Sequence, residues 1–102
     1  MMYYVFICED GENSLEKRRS VRPAHIERLK ILEKENRLLV AGPTTEKDDE
    51  NPMTGNVNGS IIIAKFNSLT DAKEWIAADP FVTAEVYVRI TVKPFKVSLP
   101  EQ

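Results

Sequence analysis

Apolar residues fall in short blocks separated by polar stretches, and the period of the pattern changes from block to block. Met2–Cys8 (MYYVFIC) is rich in Tyr, Val, Phe and Ile on both faces, which predicts a strand at the centre of a sheet covered on both sides. Asp10-Gly11 ends it. Asn13-Ser14 is placed to cap a short helical turn, Leu15 to Arg19. Proline suits the first turn of a helix, so Pro23 predicts a second start, with a helix running to about Glu35. Its apolar residues Ile26, Leu29 and Leu32 recur every three positions and make one stripe.

Leu38–Ala41 predicts a short second strand stopped by Gly42-Pro43, and residues 44–58 read as a long polar loop. Ser60–Phe66 is an Ile-rich third strand. Ser68-Leu69-Thr70-Asp71 has the form of a helix-capping box, and the helix it opens carries Ala72, Trp75 and Ile76 before Pro80 ends it. In Val86–Phe95, Val86, Val88, Ile90 and Val92 alternate with Tyr87, Arg89, Thr91 and Lys93, which predicts a fourth strand.

The order strand, helix, strand, strand, helix, strand is the split βαβ pattern. It predicts an α+β, ferredoxin-like fold: a four-stranded antiparallel sheet with two helices on one face. Two helices cover only one side, so the apolar second face calls for a second subunit, and a homodimer is expected. The chain has 102 residues and 11.6 kDa, which predicts a single domain, residues 1–102.

Charge and cysteine content narrow the functions. Fourteen Lys and Arg against sixteen Asp and Glu leave a formal charge of −2, the wrong balance for a nucleic-acid binder. No apolar run reaches the roughly 18 residues that cross a membrane, and the N-terminus lacks the basic region and cleavage site of a signal peptide. A cytoplasmic location is expected. With one Cys and one His, neither an intrachain disulfide nor a closed zinc site can form. The Asp48-Asp49-Glu50 run lacks the ligand spacing of a calcium loop and reads as solvated charge.

His25 is the only histidine. At about 100° per residue, with Ile26 at zero, Leu29 falls near 300°, Leu32 near 240° and His25 near 260°. The imidazole therefore lies on the apolar face and needs a partner. A backbone carbonyl or a tyrosine would satisfy it without any function. Asp79 follows Ala72, Trp75 and Ile76 at i+7, i+4 and i+3, which puts a carboxylate on the buried stripe of the second helix. Its other reading is simply the opener of an Asp-Pro turn. If the two meet, the carboxylate fixes the ring's tautomer and leaves one nitrogen for acid–base work. Arg22, near about 320° on the same wheel, is either an exposed arginine or an anion clamp. Ser60, after Gly59, is either a strand-entry residue or a hydroxyl turned toward the helices. Cys8, Tyr3, Tyr4, Phe6 and Trp75 are core candidates.

Several runs, in this order and spacing, resemble the YCII-related (YciI-like) family: Asn13–Arg18, Arg22-Pro23-Ala24-His25-Ile26, Gly42-Pro43, Gly59-Ser60, Asp79-Pro80 and Val92–Lys96. The resemblance implies a ferredoxin-like subunit in a dimeric α+β barrel, with an active-site cleft around a His–Asp pair that falls on His25 and Asp79. Relatives include a dehydrochlorinase of chlorinated hydroxyhydroquinone, and the barrel is similar to that of muconolactone isomerases. The expectation is a small-molecule enzyme, a lyase or isomerase type needing no metal or cofactor. His25 and Asp79 would be its acid–base pair, and Arg22 and Ser60 would hold an anionic or hydroxylated substrate. The alternatives are a non-catalytic dimer binding a metabolite in the same cleft, and a buried pair that only sets helix packing.

Overall fold

The computed structural model describes residues 1–48, 51 and 56–101. Its elements are β1 (Met2–Asp10), α1 (Leu15–Lys34), β2 (Leu38–Thr45), β3 (Val57–Phe66), α2 (Leu69–Ala77), α3 (Pro80–Thr83) and β4 (Tyr87–Phe95). The strands form one antiparallel sheet in the order β2-β3-β1-β4. This is the ferredoxin-like α+β fold, with β1 in the interior of the sheet as its composition predicts.

Alternation in β1 and β3 divides the sheet into two faces. Tyr4, Phe6 and Cys8 join Ile62, Ala64 and Phe66 in the core, beneath Leu29 and Leu32 of α1 and Ala72 and Ile76 of α2. Phe6, Phe66 and Trp75 pack mutually with ring centroids 5.4 to 5.6 Å apart. The opposite face carries Val5, Ile7, Ile61, Ile63 and, on the edge strand, Val40. Ile7 and Val40 are 39% and 51% exposed.

Four local expectations change. The turn at Leu15–Arg19 and the helix from Pro23 are one continuous helix of 20 residues with Pro23 inside it. An internal proline costs about 3 kcal/mol, but buried Arg18 and His25, one on each side of it, are tied to other elements, Arg18 to β1 and β3 and His25 to the N-cap of α3, and hold the two halves in line. Ser14 caps that helix by position only. Its hydroxyl donates to Asp10 Oδ2 at 2.7 Å rather than capping a backbone N–H.

β2 runs on through Gly42-Pro43, with Pro43 opposite Ser60. It is an edge strand, where a residue with no N–H is tolerated. The 44–58 loop is shorter at both ends, since β2 reaches Thr45 and β3 starts at Val57. Asp49 and Glu50 lie outside the described residues.

In β4 the strict alternation fails. The register with β1 shifts between Glu9 and Asp10, so Ile90 stands opposite Cys8 but Tyr87 stands opposite Asp10. This bulge turns Tyr87 inward and leaves Val88 69% exposed. Finally, α2 stops at Ala77 and Asp79 belongs to the next element. It is the N-cap of α3, where its side chain accepts from Phe81 N–H. Of the predicted capping box the Ser68 half forms, with Ser68 Oγ accepting from Asp71 N–H at 3.0 Å.

Candidate active site

The site lies between the N-terminal half of α1 and the helix-facing side of the sheet. Only Arg18 and His25 are buried in that half of the helix, and Leu29 and Leu32 follow later. The gap under it is a cavity of about 110 Å³. Arg18, His25, Ser60, Ile62 and Phe81 are among its inner walls. Arg22, Gly42 and Pro43, all exposed, bring it to the surface.

Asp79 is fully buried. Its Oδ1 is 2.8 Å from His25 Nδ1 and accepts from Phe81 N–H at 2.9 Å. Its Oδ2 accepts from Arg28 Nη1 at 3.0 Å, and Arg28 also donates to the Trp75 carbonyl and lies over the Trp75 ring. An ionised carboxylate can only accept, so the His25 proton sits on Nδ1 and Nε2 is the free lone pair of the neutral ring. The imidazole stacks on Phe81 at 3.9 Å and 10°, which holds its plane. Among the described residues Nε2 has no hydrogen-bond partner, yet no buried side-chain nitrogen or oxygen is orphaned. Nε2 therefore opens onto the cavity that His25 lines.

A second network stands beside this pair. Arg18 is buried and donates from Nε to Asp10 Oδ2 (2.6 Å), and from Nη2 to Asp10 Oδ1 (3.1 Å), the Gly59 carbonyl (2.8 Å) and Ser60 Oγ (2.7 Å). Tyr87 O–H donates to Ser60 Oγ at 2.8 Å. Gly59 has to be glycine here, because a Cβ would run into the Cys8 carbonyl oxygen across the ladder. Burial, with the nearby Asp79 and Asp10 charges adding to it, pushes the Cys8 thiol up to about 12, and Arg18 only partly offsets this. Burial likewise pushes the Tyr87 hydroxyl well above its ordinary value. Burial thus favours the protonated, neutral form of both groups. Among the described residues no cluster of three or more His, Cys, Asp and Glu could hold a metal ion, and no helix is long and apolar enough to cross a membrane.

The structure thus brings His25 and Asp79 into contact and turns Ser60 toward the helices. Arg22 is exposed and stands at the mouth. Four participants escaped the sequence reading. Arg18 falls near about 280° on the α1 wheel, between Leu29 and His25, but a helix taken to restart at Pro23 leaves it off. Asp10 continues the inward series Tyr4, Phe6, Cys8. Tyr87 is hidden by the bulge, and Arg28 carries no signal in the pattern.

A ferredoxin-like α+β chain with a buried histidine–carboxylate pair beside a small cavity defines the class. The chain belongs to the YCII-related domain family, which matches residues 2–96. It is 54% identical over 95 residues to an uncharacterised protein of Haemophilus influenzae, and 50% identical over 95 residues to protein YciI of Escherichia coli. In each case the alignment covers 93% of this chain and 97% of the relative. Among solved structures it is similar to a 5-chloro-2-hydroxyhydroquinone dehydrochlorinase from Burkholderia phenoliruptrix in complex with 2,5-dihydroxybenzoquinone. The TM-score is 0.83 at 24% identity, over 93% of this chain and 94% of that one, which shows a shared fold.

Proposed function

We propose that this protein is a homodimeric, cytoplasmic enzyme that uses His25 as general acid–base, oriented by Asp79, in an elimination or isomerisation of a small anionic or hydroxylated molecule. Arg22 and Ser60 hold that molecule. The observation that carries the reading is the 2.8 Å contact between His25 Nδ1 and Asp79, with Nε2 left to face the cavity. Nε2 takes a proton from a position acidified by a neighbouring carbonyl or phenol oxygen. In elimination the electron pair left behind becomes a π bond while the leaving group departs with its bonding electrons. In isomerisation the proton returns to another carbon. Such assistance is worth about 10²–10⁴-fold in rate, and the chemistry calls for no metal or cofactor.

The cavity, about 110 Å³, is on the scale of the roughly 150 Å³ that encloses a benzene-sized guest, which favours a single ring. A relative of the same fold was solved with a dihydroxybenzoquinone bound and carries the name of a dehydrochlorinase, and this supports a hydroxylated ring. The second subunit would cover the outer sheet face around Ile7, Val40, Ile61 and Ile63.

The test is turnover of a panel of hydroxylated and chlorinated aromatics and lactones. Product formation that is lost in both His25→Gln and Asp79→Asn supports the enzyme. Tight binding with no product from any of the panel sinks it in favour of a metabolite-binding dimer.

A further inference from the structure

The His25–Asp79 pair has a third member. Asp79 is fully buried, and its Oδ1 is occupied by two donors, His25 Nδ1–H and Phe81 N–H. Its Oδ2 accepts from Arg28 Nη1 at 3.0 Å, the one arginine or lysine paired with Asp79 among the described residues. A buried carboxylate keeps its charge only when a positive charge answers it. Two groups here can do so. Arg28 does it permanently. His25 can do it only by taking a proton on Nε2, which removes the lone pair. The two residues are three apart on α1, neighbours on one helix face, and they reach the two oxygens of one carboxylate.

Arg28 is held at the carboxylate from a second element. Its Nη2 donates to the Trp75 carbonyl at 2.8 Å, and its guanidinium carbon lies 4.6 Å from the Trp75 ring centroid, in the last turn of α2. The other charges around the imidazole already cancel. Arg18 of α1 is paired with Asp10 of β1 at 2.6 Å. Cys8 of β1 and Tyr87 of β4 are kept in their neutral forms by burial. Arg22 of α1 is exposed at the mouth of the cavity. With Arg28 on Asp79, two guanidinium groups and two carboxylates sum to zero while the ring is neutral. A proton on His25, itself buried, would then be an unanswered positive charge.

We propose that Arg28 is a positioning residue for His25: it answers the charge of Asp79, so the imidazole remains a free base whose Nε2 lone pair is available to a substrate. This rests on the proposed function, in which Nε2 removes a proton. It assigns to that step a group that acts through Asp79 and does not touch the substrate.

The chain has one histidine, so nitrogen NMR of histidine-labelled protein reads the ring charge directly. At about pH 7 the wild-type ring should be neutral, with its proton on Nδ1. Arg28→Gln keeps an amide donor but no charge, and its ring should stay protonated to a pH about one unit higher. Arg28→Lys restores the charge without the fork and should return the ring to its wild-type titration, with a lower Tm. If Arg28 only ties α1 to α2, both variants melt lower and neither changes the ring, which overturns the proposal. A wild-type ring already protonated at about pH 7 overturns it as well. Should Arg28→Gln not fold, the carboxyl carbon resonance of Asp79 in the wild type decides: it must report an ionised group while the ring is neutral, and a protonated carboxyl there ends the proposal. None of these readouts needs a substrate. Once one is found, turnover by Arg28→Gln should be lost at the lower pH and recover as pH rises. Wild-type turnover in His25→Gln would end the general-base role and leave the charge balance standing.

Discussion

Asp79→Asn changes almost no volume but removes a charge that three donors share, and the structure decides how the amide must sit. With its oxygen at the Oδ1 position the asparagine keeps the bonds from His25 Nδ1–H and Phe81 N–H and turns its NH₂ toward Arg28. With its oxygen at the Oδ2 position it keeps Arg28 but faces two N–H groups with another donor. The first orientation loses one hydrogen bond and the second loses two, so the first should dominate. What goes is the Arg28 ion pair. Asp79 is sealed, and the Arg28 side chain is 24% exposed and can turn partly to water. Losing a hydrogen bond to a charged group costs about 1.5–3 kcal/mol, on the order of 7–14 °C in Tm for a chain of this size.

The imidazole keeps its proton on Nδ1, but the negative charge that would steady an imidazolium is gone. Turnover of any substrate found should fall by about 10²-fold or more. Thermal unfolding reads the first effect. Nitrogen NMR of histidine-labelled protein reads the tautomer without ambiguity, since the chain has one histidine. A variant as stable as wild type, or a ring proton that moves to Nε2, would refute this accounting of the buried carboxylate.

Three further outcomes can be checked. Pro23→Ala should raise stability by about 1–3 kcal/mol, seen as a higher Tm, because Pro23 is exposed and only interrupts the α1 ladder. The Cys8 thiol, raised from an ordinary 9.0 to about 12, stabilises the fold fully below pH 9, and that contribution is lost as pH rises toward 12. Native protein at pH 8 should therefore react with a disulfide reagent far more slowly than denatured protein, and Cys8→Ser should flatten the alkaline loss of stability. Light scattering should give twice 11.6 kDa for the wild type and the single mass for Ile7→Lys, whose side chain faces away from the helices. A wild-type monomer would remove the proposed pairing of sheet faces.

The order and kind of the elements were legible in the chain because alternation and helical stripes report burial directly, and the inward-facing residues Tyr4, Phe6, Cys8, Leu29, Ala72 and Ile76 follow those periods. His25 was legible for the same reason, as a polar residue in apolar phase, whereas Asp79 was reached by extending the α2 stripe past its end and in fact opens the Asp-Pro turn that caps α3. Three things were not. The helix passes through Pro23 because Arg18 and His25 are anchored by groups on other elements. Tyr87 turns inward because of a bulge in its pairing with β1. Arg28 reaches Asp79 across 51 positions of sequence. Local pattern states which side of an element leaves water, since that depends on neighbours a few residues away. Which charges meet there depends on strand register and helix placement, and these exist only when the whole chain has packed.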